Sequence, residues 1–390
     1  MKDIDGKKLV IWMLFFGIML QSAFSFENTP IAEISSRLER FRVIRIASGL
    51  EYPWGLAFLP DGSLLVTERV GRMWILREGR TRQLVVGLPS MVTSGQGGLL
   101  DVALDPAFST NRWVYFSYAA PGPRGTSGTA VARARLEGNQ LWDLQVLYDM
   151  KQKTSSGLHF GSRIVFGRDG MLYISTGERG ERNRAQDLSD TAGKVLRIHP
   201  DGRIPQDNPW VSQRNRGITG VGVVAPEIYT YGNRNIQGMA VHPDTGKIWV
   251  HEHGPRGGDE INVLIPGANY GWPIITYGRE YSGNTPIGEG THKEGMEQPL
   301  LQWTPSIAPS GMTFYTGDRF SKWKGNLFVG ALVGQHLRRL VLNGEQVVEE
   351  EILLYQQIGR IRDVRTGPDG LLYILTDERN GGVFRLEPVY

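Results

Sequence analysis

The chain has 390 residues, with 43 Lys and Arg against 40 Asp and Glu, a net charge of +3 and no cysteine. Its basic residues are dispersed along the chain, which speaks against nucleic-acid binding. The absence of thiols excludes disulfides, cysteine nucleophiles and cysteine metal sites. Gly 50, Pro 21 and 10% aromatics suit a turn-rich all-β protein better than a helical one.

Lys7 and Lys8 precede the apolar run LVIWMLFFGIML (9–20), and small residues lead up to a cut after Ser25. This predicts a signal peptide over 1–25 and a single mature domain over 26–390. A membrane anchor is the other reading, but a spanning helix needs about 20 apolar residues and the run is shorter. No later stretch reaches that length, so a soluble, periplasmic protein without stable membrane insertion is expected.

Residues 41–46 (FRVIRI) alternate apolar and polar, the period of a strand. One pattern then recurs: a short apolar strand, a turn carrying Asp, Gly or Pro, and an outgoing strand rich in Val, Ile, Tyr and Leu. It is read at WGLAFLPDGSLLVTER (54–69), 101–119, SRIVFGRDGMLYISTGE (162–178), 237–254, 310–332 and RDVRTGPDGLLYILTDE (362–378). Further strand candidates follow at 73–77, 131–136 with 144–149, 194–198, 260–265 and 383–386. Six such units of four antiparallel strands predict a six-bladed β-propeller. The 41–46 strand would complete the last blade and close the ring. Two stacked β-sandwiches are the competing architecture, and they do not explain six related units. The long insertions 200–225 and 267–300 are expected to wall the mouth of the central channel.

Polar groups stand just before the inner strand of four units: Gln96, His159, Asn233-Arg234-Asn235 with Gln237, and Arg360 with Arg362. A histidine there suits a general base, its unperturbed pKa being about 6.5. A purely structural histidine is the alternative. Glu178, at the end of the third unit, is placed to orient His159. The arginines suit a small polyanion, since guanidinium binds carboxylate in a bidentate manner. Pairing of these arginines with nearby acidic residues is the other reading. After the fourth unit, the carbonyls of Gly254 and Pro255 suit a hard cation such as Ca²⁺, with Asp259 and Glu260 close by. His251 and His253 in HEHG share one strand face and offer two ligands at most, which disfavours zinc. No phosphate-cradling Gly loop and no GxSxG elbow occurs.

Taken together, GQGGLLDVALDP (95–106), HFGSRIVFGRDGMLYISTGE (159–178), YGNRNIQGMAVHP (231–243), HGPRGGDEIN (253–262), NYGWP (269–273), TPSIAPSG (304–311) and GRIRDV (359–364) resemble the glucose/sorbosone dehydrogenase family. These are soluble quinoproteins using pyrroloquinoline quinone (PQQ), and the aldose-type branch looks nearest. The resemblance implies PQQ and Ca²⁺ over the channel and oxidation of an aldose C1 hydroxyl to a lactone. It implies His159 as general base, Glu178 in place of an Asp that steadies it, and Arg234 beside both. Gln96, Arg234, Asn235, Arg360 and Arg362 resemble the cofactor-holding set, and Gly254 and Pro255 the calcium's backbone ligands.

Two positions depart from the glucose-specialised members: Leu158 replaces an Asp before the base, and 331–335 (ALVGQ) lacks their cofactor-contacting Lys. A Ca²⁺-dependent hydrolase of lactonase type is the rival, and a non-catalytic binding propeller the third reading. No haem-attachment CxxCH occurs, so electrons are expected to leave to a separate acceptor. Monomer and dimer both remain open.

Overall fold

The computed structural model describes residues 25–78, 81–213 and 223–390. The expected signal peptide therefore lies, but for Ser25, outside the described residues. Among the described residues, no helix is long and apolar enough to cross a membrane.

Five four-stranded antiparallel sheets and one five-stranded sheet form six blades. Blade 1 begins with Pro53–Phe58, blade 2 with Leu99–Leu104, blade 3 with Gly161–Phe166, blade 4 with Ile236–Val241, blade 5 with Pro309–Phe314 and blade 6 with Ile361–Thr366. These first strands are the inner ones. Each contacts the next around the ring, and the inner strand of blade 6 meets that of blade 1. The circle closes as expected: Arg40–Leu50 pairs antiparallel with the last strand, Gly381–Pro388, as the fourth strand of blade 6. A fifth strand, Ser25–Ser35, pairs outside it and was not anticipated.

Local chemistry explains the repeat. In blades 1, 3 and 6 the turn uses Asp61-Gly62, Asp169-Gly170 and Asp369-Gly370. Each Asp carboxylate accepts the backbone N–H two residues on, at 3.0, 3.1 and 3.1 Å respectively. Each Gly sits in the left-handed region, at φ 81°, 75° and 78°. Turns of this kind need a small polar side chain that can bond its own backbone, followed by a residue without Cβ. The second strands Leu64–Glu68, Leu172–Thr176, Ile248–Glu252, Leu327–Ala331 and Leu372–Thr376 are buried at every residue. Sandwiched between neighbouring blades, they begin as apolar runs and most turn polar only at the end nearest the mouth, and each large aliphatic side chain so buried contributes about 1.5–3 kcal/mol.

All six inner strands share one irregularity. Their register against the second strand shifts near the start, between Pro53/Leu56, Leu99/Val102, Gly161/Ile164, Ile236/Gly238, Pro309/Met312 and Ile361/Asp363. A bulge bends the strand and re-aims its side chains. Here it occurs where the inner strands leave the mouth of the channel.

The two insertions behave differently. Residues 267–300 pack at the mouth, where Asn269 bonds Gln186 and the Trp272 ring lies 5.4 Å from the Arg234 guanidinium. The 200–225 insertion leaves blade 3 at the opposite end, and its described residues pack outside that blade, Trp210 against Tyr231. Among the described residues neither insertion lines the central cavity itself; only 267–300 reaches a group beside it, through Trp272 against Arg234. At 200–225 the chain turns on the far side of the sheet, a choice that insertion length does not reveal.

Candidate active site

A cavity of about 290 Å³ opens at the mouth and draws on all six blades. Blade 1 supplies Trp54 and Arg69, blade 2 Gln96, blade 3 Phe160, blade 4 Asn235, Gln237 and His253, blade 5 Ala308 and Leu332, and blade 6 Arg360, Arg362 and Asp377. Five residues singled out from sequence meet here: Gln96, Asn235, Gln237, Arg360 and Arg362. His159, Glu178 and Arg234 do not line it: His159 adjoins it through Phe160 and its bond to Gln96, and Arg234 through its bond to the His253 carbonyl.

Beneath the cavity the axis is closed by charge. Arg163 of blade 3 lies 3.0 Å from Asp363 of the opposite blade 6 and 3.3 Å from Asp101 of blade 2. Arg365 lies 2.8 Å from both carboxylates. Arg163 also donates to the carbonyls of Gln237 (2.7 Å) and Arg362 (3.1 Å), and its guanidinium lies 4.2 Å from the Trp54 ring. Two cations and two anions cancel in a dry centre, where an unpaired charge would cost several kcal/mol. The plug ties blades 2, 3, 4 and 6 together below the cavity.

On the blade 6 side, Arg362 and Arg360 share one carboxylate, that of Asp377, at 2.9 and 3.5 Å. The alternative of ion-paired arginines thus holds for both. Burial raises the Asp377 carboxyl, but the positive field of Arg362, Arg69 and Arg360 overrides it and lowers the pKa overall. Arg362 also donates to Gln237 Oε1 at 3.1 Å, while its buried Nε has no partner. With Arg69, three guanidiniums in the cavity face one carboxylate.

On the blade 3 side stands His159, with 9% of its surface exposed and φ at 51°. Its N–H donates to Gln96 Oε1 at 2.8 Å. Its Nδ1 lies 3.0 Å from Glu178 Oε1, close enough for a strong electrostatic pairing, although the ring N–H is not aligned as a hydrogen bond. Burial pushes the imidazole below its ordinary pKa; Glu178 pulls it back up, and Arg234 and Arg179 push it further down. The net shift is downward, so the ring is neutral and can accept a proton near pH 7.

The loop is held tightly. An added Cβ at Gly177 would come within 2.1 Å of the His159 carbonyl oxygen, so only glycine permits this approach. Buried Arg179 donates to the carbonyls of Ser156 and Leu158 and lies 3.5 Å from the Phe160 ring centre. Arg179 thereby grips residues on both sides of the histidine.

Arg234 donates to the His253 carbonyl at 3.1 Å, and its own N–H donates to Glu252. Asn235 Oδ1 accepts from Gly161 N–H at 3.0 Å, joining blades 3 and 4. Gly254 and Pro255 lie beside this strip. Gly254 N–H donates to Asp259 Oδ1 at 2.9 Å, and the Pro255 carbonyl accepts from Arg279 N–H at 3.0 Å. Glu252 and Glu260 are cross-strand partners just behind. Burial raises both carboxyls, and repulsion from Glu252 raises that of Glu260 further.

His253 Nε2 donates to the Pro309 carbonyl at 2.6 Å, while burial pushes the ring down to about 3, so it lines the cavity as a neutral imidazole. His251 is wholly buried and its ring fills the space that Gly238 leaves. Among the described residues, no group of three or more His, Asp or Glu side chains is arranged to hold a metal.

Sequence reasoning named no site residue in blade 1, left the contacts of blade 5 open, and missed Asp377, Arg179 and the Arg163 plug. Asp377 and Arg69 each follow directly on the second strand of their unit, one residue short of the position noticed for Glu178, and that neighbourhood was the available signal.

Residues 50–385 match the model of the Glucose / Sorbosone dehydrogenase family. "Aldose sugar dehydrogenase YliI" of Escherichia coli is 44% identical over 374 residues, covering 93% of this chain and 98% of the relative. The apo structure of the soluble aldose sugar dehydrogenase from Escherichia coli superposes with a TM-score of 0.85 at 42% identity, over 90% of this chain and 100% of that one. The PQQ-bound aldose sugar dehydrogenase from Streptomyces coelicolor follows at TM-score 0.71 and 28% identity, covering 94% and 98%. This propeller belongs to the glucose/sorbosone dehydrogenase family.

Proposed function

We propose that this protein is a PQQ-dependent aldose sugar dehydrogenase, exported to the periplasm, that oxidises the C1 hydroxyl of aldoses to lactones. The observation that carries the reading is the cavity itself. Three guanidiniums face one carboxylate inside it, and next to its lining residues Gln96 and Phe160 a buried, neutral histidine pairs with a carboxylate. The similarity to enzymes named as aldose sugar dehydrogenases, one of them PQQ-bound, supports the same assignment.

The residues present fit the cofactor. A flat tricarboxylate needs cations and an aromatic surface, and Arg69, Arg360 and Arg362 with Trp54 and Phe160 provide both. The orphaned Nε of Arg362 is a donor awaiting an acceptor. Gln96, Arg234 and Asn235 would hold the quinone from the blade 2 and blade 4 sides. The Gly254 and Pro255 carbonyls would ligate Ca²⁺, the oxygen chemistry that this ion prefers; Pro255 keeps a second lone pair beyond the one Arg279 uses. When bound, the calcium-polarised quinone supplies the hydride acceptor.

The protein's own part is acid–base work and orientation. Because Nδ1 faces Glu178, Nε2 of His159 is left to take the proton of the C1 hydroxyl. With that proton taken by His159, the C1 hydrogen and its electron pair would be free to leave to the hydride acceptor, giving the lactone carbonyl. Glu178 stabilises the imidazolium that forms, and Arg234, bonded across to the His253 carbonyl, keeps the blade 4 side in place. The two electrons taken from the sugar would finally leave to a separate acceptor.

A calcium-dependent lactonase would need carboxylates turned to the axis as ligands. The axial pair Asp101 and Asp363 is instead consumed by Arg163 and Arg365. The deciding experiment reconstitutes the purified apo-protein with PQQ and Ca²⁺ and follows dye reduction by aldoses. Aldose-dependent reduction is expected; lactone hydrolysis without dye reduction would sink the dehydrogenase reading.

A further inference from the structure

Arg69 is a cation without a counter-ion. It follows directly on the second strand of blade 1, Leu64–Glu68, and its side chain lines the cavity. Its backbone is fixed: its N–H donates to the Tyr52 carbonyl at 3.0 Å, and Tyr52 N–H donates to the Glu378 carbonyl at 2.8 Å. The loop opposite approaches so closely that an added Cβ at Gly98, where φ is 148°, would strike the Arg69 carbonyl. The guanidinium lies 4.7 Å from the Tyr52 ring centre and donates through Nη1 to the Gly95 carbonyl at 2.5 Å.

These contacts orient the group without neutralising it. Its Nε is buried and has no hydrogen-bond partner, and among the described residues no carboxylate lies within 4.0 Å of it. Asp377, whose carboxyl feels the charge of Arg69, is already shared by Arg360 and Arg362. A half-buried guanidinium with an unused donor is costly unless something anionic completes it. A purely structural arginine would have been expected to find a carboxylate partner or to point into solvent.

We infer that Arg69 binds a carboxylate of the cofactor from the blade 1 side, as the third cation of the cavity. This rests on the PQQ reading above. Blade 1 adjoins blade 6, so Arg69, Arg360 and Arg362 form one cationic arc, opposite the arc that carries His159 and Arg234. An arc of three cations around one anion selects a ligand with more than one carboxylate and sets which end of the ligand faces away from His159.

The test is equilibrium binding of PQQ in the presence of Ca²⁺, read by quenching of tryptophan fluorescence and needing no turnover. Arg69→Gln is expected to weaken binding by about 10–100-fold, the worth of one charge-assisted contact, and to flatten its salt dependence. Arg69→Lys should recover part of the loss. Arg203→Gln removes the same charge from an exposed site outside the cavity and should bind as the parent does. Thermal melting of each apo-variant near the parental temperature shows that the fold is intact. Parental binding with an unaltered Kd in Arg69→Gln overturns the inference while leaving the cofactor reading in place. Failure of the parent protein to bind PQQ overturns both.

Discussion

The cavity has two unlike halves. Blades 6 and 1 present guanidiniums around a single carboxylate, with Arg360 partly exposed and Arg69 without a carboxylate partner among the described residues. Blades 3 and 4 bury their ionisable groups and hold them by backbone contacts, as in His159, Glu178 and Arg234. Charge offered to an incoming ligand belongs where water can be displaced by that ligand. A proton acceptor belongs where burial keeps it neutral. The difference teaches that binding and chemistry are divided between opposite sides of one ring, with the Arg163 plug as their common floor.

The largest effect should come from the chemistry half. Replacing His159 by Ala is expected to lower kcat by about 10²–10⁴-fold, the usual worth of a general base, while PQQ binding by fluorescence stays near the parental value. If turnover survived, the division of labour would be wrong. The floor should matter next, and for both halves at once. Arg163→Met leaves Asp101 and Asp363 with only Arg365 and should cost about 3 kcal/mol of stability, read by denaturant unfolding, with PQQ binding weakened as well. A variant that lost binding alone, at full stability, would show the plug to be part of the cationic half rather than a shared base.

The fold was largely legible because its grammar is local. The Asp-Gly turns and the apolar second strands recur with the same chemistry, so six units could be counted without knowing how they pair. Gln96, His159, Arg234, Asn235, Arg360 and Arg362 were legible for a related reason: each stands within a few residues of the start of an inner strand. What stayed hidden depends on contacts across the axis. Nothing near Arg163 in sequence announces Asp363, 200 positions away, and Asp377 gains its meaning only when two arginines close on it. Arg69 was unread because Glu68, its neighbour in sequence, pairs with Arg72 instead, and among the described residues no carboxylate reaches Arg69 in space. The HEHG histidines, set aside for Gly254, turn out to differ from one another: His251 only fills space against Gly238, whereas His253 lines the cavity.

The finest test asks whether the chemistry half tunes its base by charge. His159 must be neutral to accept a proton, so kcat/KM rises with pH through its pKa, which burial holds below the ordinary value of about 6.5. Three charged groups face the ring: Glu178 raises its pKa, while Arg234 and Arg179 lower it. Glu178→Gln removes a stabiliser of the imidazolium and should move the acidic limb to lower pH. Arg179→Met keeps the bulk over Phe160, removes a repelling cation, and should move the limb to higher pH. Each displacement is expected to be up to about one unit, measured on kcat/KM at saturating cofactor. Opposite displacements would tie the limb to His159 and to the charges around it. Displacement of both variants in one direction would point instead to a change in burial, and an unmoved limb to another titrating group, either of which breaks the assignment of the base to this half of the ring.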